Sequence, residues 1–286
     1  MATIGRVVAD GVAFGEGPIW TTDDRLIVTS VADGWLFEID DHKGTARPWA
    51  ETGGGPNGAF ACADGSVLVT QNGGTDFHRL GLFLDREPVH VTPGLQLVSP
   101  DGSAAPYLID RDMLAPNDLA VGPDGALYFT DPGHFDPKGP RRGRIIRYER
   151  DGSWQIVADQ FRFCNGIAFT ADGEMIVVEK RGLYRVDPSD GAREPIIEDL
   201  GPGGGDGFCL DVEGNFYVAS TSAHCVIVVS PEGVEVDRLE LEGEGIVTNC
   251  CFGGPDRRTL YATEAVPGRV VAWDDLPVPG LPLAFW

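Results

Sequence analysis

Residues 164–179 read CNGIAFTADGEMIVVE, and the frame of this stretch decides the fold. A short polar acceptor, Asn165, is followed by a glycine and an apolar run. An Ala-Asp-Gly turn comes next, and then alternating apolar residues. Apolar runs flanking an Asp-Gly turn are the chemistry of a β-hairpin. The same frame recurs in GEGPIWTTDDRLIVTS (15–30), PNGAFACADGSVLVTQ (56–71), PNDLAVGPDGALYFTD (116–131), GDGFCLDVEGNFYVAS (205–220) and TNCCFGGPDRRTLYAT (248–263). The last copy is degenerate in its turn and lacks the glycine after its acceptor.

The aligned acceptors are Glu16, Asn57, Asn117, Asn165, Asp206 and Asn249, between 41 and 60 residues apart. A strand-rich unit of about 40–50 residues is the length of a propeller blade. Between the hairpins lie further strands, such as 143–150 and 153–159 around the Asp151-Gly152 turn, giving four strands per blade. No segment carries a long 3.6-residue period, so helix is expected to be nearly absent. The predicted fold is all-β: one six-bladed propeller of four-stranded antiparallel blades over residues 1–286. The sixth blade lacks a fourth strand after 269–275, because 276–286 is punctuated by proline. The orphan strand at 4–10 is expected to fill that place, closing the ring and removing an exposed edge.

Composition bounds the partners. Lys and Arg number 22 against 44 Asp and Glu, a formal charge of −22. Such a polyanion repels nucleic acid and anionic membrane surfaces, so neither is expected as a partner. The start of the chain has no basic region and apolar run of a signal peptide, and no stretch of about 18 apolar residues could span a bilayer. None of the six cysteines falls in a CxxC pair or a zinc spacing. A cytoplasmic location with reduced, buried thiols follows as the expectation.

In a propeller the first strand of each blade lines the central channel. The six acceptors therefore converge at one end of it, with charge at Glu16 and Asp206 and amides elsewhere. Taken singly, Asn, Asp and Gly are ordinary turn formers; six in register are a ring. Converging oxygens with no soft ligand suit a hard divalent cation, Ca²⁺ foremost, with Zn²⁺, Mn²⁺ or Mg²⁺ as alternatives. The glycine after the acceptor is expected to let the backbone turn tightly into the inner strand. Other chemistries fit poorly. There is no GxSxG elbow, no HExxH, and the glycine-rich 201–207 lacks the Lys-Ser/Thr of a phosphate loop. Two long loops, 72–93 and 132–143, fall on the acceptor side and offer Phe77, His78, His134 and Phe135 to a substrate.

With these strings in place, the chain resembles the superfamily of senescence marker protein, gluconolactonase and luciferin-regenerating enzyme. GEGPIW, PNDLAVGPDGALYFTDP, CNGIAFTADG, GDGFCLDVEGNFYVA and NCCFGG carry the likeness over nearly the whole chain. The resemblance implies a six-bladed propeller that hydrolyses lactones at a central divalent metal bound by Glu16, Asn165 and Asp206. It places Asn117 as a fourth ligand or a substrate contact, leaves Asn57 as a pocket residue, and leaves Asn249 as structural. Asp206, a ligand with a spare oxygen, is the candidate general base. Ala115 stands where animal-type aldonolactonases carry an Arg that engages sugar hydroxyls. The expected activity is metal-dependent opening of a sugar lactone or related small lactone, by a monomer or homodimer. An organophosphate or aryl-ester hydrolase at the same site is the alternative enzyme, and a non-catalytic binding propeller is the alternative of another class.

Overall fold

Each copy of the repeat folds as the inner hairpin of a four-stranded antiparallel sheet, and six such sheets form a ring. A computed structural model describes residues 3–82, 87–136 and 139–286. In blade four the hairpin is Cys164–Phe169 with Met175–Glu179, followed outward by Gly182–Val186 and Arg193–Ile197. The second strands, such as Val67–Gln71, Leu127–Asp131 and Phe216–Ser220, are buried along their whole length. The alternation expected of this part of the repeat is not what the structure uses: these strands are buried on both faces because neighbouring blades cover each of them. Among the described residues an apolar cluster fills each of the six gaps between blades. The fourth strand of blade five, Glu235–Glu240, is largely exposed.

The N-terminal strand closes the ring as expected, with one difference. Arg6–Asp10 pairs antiparallel with Arg269–Trp273 as the fourth strand of blade six. Thr3–Ile4, however, leaves that blade and runs parallel to Glu235–Glu240 as a fifth strand of blade five. The chain passes between blades at Gly5, whose N–H donates to the Glu240 carbonyl. A Cβ at Gly5 would lie 2.4 Å from Val271, so only glycine fits this crossing. Val8 and Ala9 are buried against Val270 and Ala272. Deleting residues 1–10 is therefore expected to lower the thermal midpoint by about 5 °C or more, through lost apolar burial and an unpaired edge. An unchanged midpoint in a scanning calorimeter would show that closure does not depend on this strand.

The proline-punctuated tail has a place that periodicity could not foresee. Leu281 donates to the Leu210 carbonyl at the end of the inner strand of blade five. Trp286 exchanges backbone hydrogen bonds with Ala61 and Ala63 at the corresponding end of blade two, on the opposite side of the ring. The tail thus crosses the end of the channel remote from the acceptors. The six cysteines form no disulfide among the described residues, five of them being buried. No helix of the described residues is long and apolar enough to cross a membrane.

Candidate functional site

All six acceptors are buried, between 3% and 9% exposed, at one end of the inner strands. In four blades the ladder shifts register at the acceptor, between Glu16 and Ile19, Pro56 and Ala59, Cys164 and Ile167, and Val247 and Asn249. Such a bulge re-aims a side chain out of the pleat, here toward the axis. Neighbouring blades are stitched together at the same level. Thr29, Thr70 and Thr130 donate their hydroxyls to the carbonyls of Asn57, Asn117 and Asn165 of the following blades. Gly166 donates to the Asp206 carbonyl, Gly207 to that of Thr248, and the Thr248 hydroxyl to that of Gly15.

The glycines after the acceptors serve this close approach, which corrects the tight-turn expectation. Of Gly17, Gly58, Gly166 and Gly207, only Gly17 has a positive φ. A Cβ at Gly58 would lie 2.7 Å from the Asn117 carbonyl oxygen, and one at Gly166 would lie 2.6 Å from that of Asp206. At Gly207 it would lie 2.1 Å from the Asn249 side chain. Each glycine clears space for the acceptor of the next blade.

Blade three breaks the pattern, and there the structure reveals a third carboxylate. The position of the glycine is taken by Asp118, buried to 7% exposure. Asn249 Nδ2 donates to Asp118 Oδ1 at 2.9 Å and to Glu16 Oε2 at 3.3 Å, so Asn249 links two carboxylates across the channel. It is more than the structural residue expected from the sequence. Asp118 had a legible signal, a charged residue where four other copies have glycine, but beside Asn117 it reads as part of a turn. Burial raises the Glu16 carboxyl well above the usual range, and the charges of Asp206 and Asp118 add to the shift. Asp206 is raised by burial and then by Asp118, and burial pushes Asp118 up to about 7. Three buried carboxylates repel one another, and a divalent cation among them would reverse that push.

The oxygens present fit such a cation. Among the described residues, three buried side-chain oxygens have no hydrogen-bond partner: Asn57 Oδ1, Asn117 Oδ1 and Asp206 Oδ1. Orphaned buried acceptors are costly, and three on one ring need a common explanation. The donor set mixes carboxylates with amides; no group of three His, Cys, Asp or Glu side chains by itself could hold a metal among the described residues. All-oxygen sets of this mixed kind suit hard cations.

Residues 14–266 match the family model described as the SMP-30/gluconolactonase/LRE-like region. The chain belongs to this family. It is 30% identical over 273 residues to a pentonolactonase of Haloferax volcanii, spanning 92% of this chain and 85% of that one. It is 26% identical over 285 residues to a 6-deoxy-6-sulfogluconolactonase of Pseudomonas putida, spanning 93% and 88%. Its fold is that of a calcium-binding protein, regucalcin, from Agrobacterium tumefaciens, with a TM-score of 0.80 at 21% identity over 100% and 99% of the two chains.

Around the mouth of this family member, the loop residues divide. Phe77 is buried against Phe14, with ring centroids 4.8 Å apart, and packs with Val31 and Ala32. His78, His134 and Phe135 are exposed. Phe135 meets Phe163 edge-on at 5.2 Å, two residues before Asn165. Residues 83–86 and 137–138 of the two loops lie outside the described residues. Ala115 is buried, and its N–H donates to Asp131 Oδ1 at 2.8 Å. Asp131 also accepts from the Leu114 N–H and pairs with Arg144 at 2.7 Å, anchoring the segment that leads into Asn117.

Proposed function

We propose that the chain opens a sugar lactone by adding water to its ester carbonyl, at a divalent cation held by Glu16, Asn117, Asn165 and Asp206. The observation that carries this reading is the set of unpartnered buried oxygens gathered beside three carboxylates. The names of the two curated relatives above support the substrate class. The chemistry supplied by such a cation when bound is Lewis-acid polarisation of the carbonyl and acidification of water.

The residues of the chain do the rest. Asp206 Oδ1, which has no partner, accepts the proton of the attacking water. As the ring C–O bond breaks, the proton returns to the leaving oxygen, which becomes a hydroxyl of the open-chain aldonate. Asn57 Oδ1 accepts from a substrate hydroxyl. Asn249 fixes Glu16 and Asp118 by donating to both. With Ala115 in place of an Arg, hydroxyl recognition falls to Asn57, Asn117 and the 72–93 loop. The tail across the remote end directs substrate to enter from the acceptor side.

A panel of aldonolactones and aliphatic lactones, assayed with and without chelator, tests this reading. Turnover of one or more aldonolactones is expected, lost in chelator and restored by a divalent salt. Turnover insensitive to thorough chelation would remove the cation from the proposal, and no turnover of any lactone would remove the activity.

A further inference from the structure

Blade four carries a basic cleft at the acceptor end of its second to fourth strands, beside blade three. About 220 Å³ in volume, it is lined by Arg141, Arg162, Lys180 and Arg181 with Glu179 and Glu198. Four cations against two carboxylates stand out in a chain of net charge −22. The carboxylates do not cancel the excess. Glu179 is shared between Arg193 at 3.3 Å and Arg141 at 3.8 Å, and its Oε1 also accepts from the Arg162 N–H. Arg181 is paired with Asp199, outside the lining. Among the described residues, the side chains of Arg162 and Lys180 carry no ion pair.

The backbone ties this cleft to the acceptor ring. Glu179 pairs with Gly182, so the turn between the second and third strands of blade four is only Lys180-Arg181. The Lys180 N–H donates to the carbonyl of Phe163, two residues before Asn165. The Lys180 carbonyl accepts from Gly205, the residue before Asp206. Lys180 is thus clamped between the approaches to Asn165 and Asp206. Its φ is +55°, a left-handed conformation that glycine adopts without strain.

We infer that this cleft holds an anionic substituent of the substrate while the ester lies over the ring. Resting on the lactonase reading, this names the substrate class: a sugar lactone bearing a phosphate or sulfonate remote from the scissile bond. Guanidinium and ammonium groups together suit a tetrahedral oxyanion, Arg through its fork of donors and Lys as a point charge.

The test compares glucono-1,5-lactone with its 6-phosphate and its 6-sulfonate analogue, in the wild type and in a double variant, Arg162→Gln with Lys180→Gly. Glycine at 180 relieves the left-handed backbone, so the variant is expected to fold; Arg141→Gln serves as a second variant. The wild type is expected to favour the anionic lactones by about tenfold or more in kcat/KM, the equivalent of one charge-assisted hydrogen bond. The double variant should lose that ratio, and added salt should shrink it in the wild type. A preference for one anion over the other identifies which of the two is the substrate group. Turnover with no anionic preference, or with a ratio unchanged in both variants, would overturn the inference. Calorimetric binding of 6-phosphogluconate, the open-chain product, separates the two readings. Binding lost in the variant, without lactone turnover in the wild type, keeps the cleft and rejects the lactonase. Neither binding nor turnover rejects both.

Discussion

Asp206→Asn is expected to fold normally and to lose lactone turnover by about 10²-fold or more, even at saturating metal. The amide preserves the shape of the side chain, and amides already occupy the equivalent place at Asn57, Asn117, Asn165 and Asn249. Asp206 is raised by burial and by the charge of Asp118. Removing its charge therefore relieves repulsion, and the chelated variant should melt no lower than the chelated wild type. What the variant loses is basicity at the oxygen that has no partner. Rates measured against metal concentration decide the matter, with the metal-induced rise in thermal midpoint as a separate measure of cation binding. Full rescue of the rate by excess metal would leave Asp206 a ligand only. The third carboxylate, Asp118, would then be the base to test.

Asp131→Ala is expected to cost about 3 kcal/mol, a drop of about 5 °C in thermal midpoint for a chain of this size. Asp131 is fully buried at the end of the second strand of blade three. It pairs with Arg144 and accepts from the backbone N–H groups of Leu114 and Ala115. Alanine leaves a largely buried guanidinium and two backbone donors without their acceptor. Because residues 112–116 lead into Asn117, the variant should also bind cation more weakly than its stability alone accounts for. Asp131→Asn keeps an acceptor without the charge and should fall between the two. A midpoint within 1 °C of wild type would show that the segment is held by other contacts.

Some of the site was open to reading in the chain and some was not. The acceptors were legible because each stands at a fixed offset from an Asp-Gly or equivalent turn, and a repeat converts an offset into a position in space. The loop residues were less so. Phe77 shares its loop with His78, yet the structure buries one against Phe14 and leaves the other exposed. An aromatic in a long loop can cover the core or face a ligand, and only packing chooses between them. Asp118 stands in an Asn-Asp pair that by itself is ordinary turn chemistry, whereas its carboxylate meets Asn249 from 131 positions away.

The sequence alone determined the six-fold frame, the strand order within each blade and closure by the N-terminal strand. These follow from local hydrophobic period and turn chemistry, which each segment carries in itself. Tertiary structure alone decided that the glycines clear space for the next blade and that Thr3–Ile4 crosses to blade five. It also decided that the tail covers the remote end of the channel, and that Lys180 is clamped between the approaches to Asn165 and Asp206. Each of these is a contact between residues of different blades or of the termini, set by how six sheets close into a ring. No local period encodes such a contact, because its partners become neighbours only when the ring is complete.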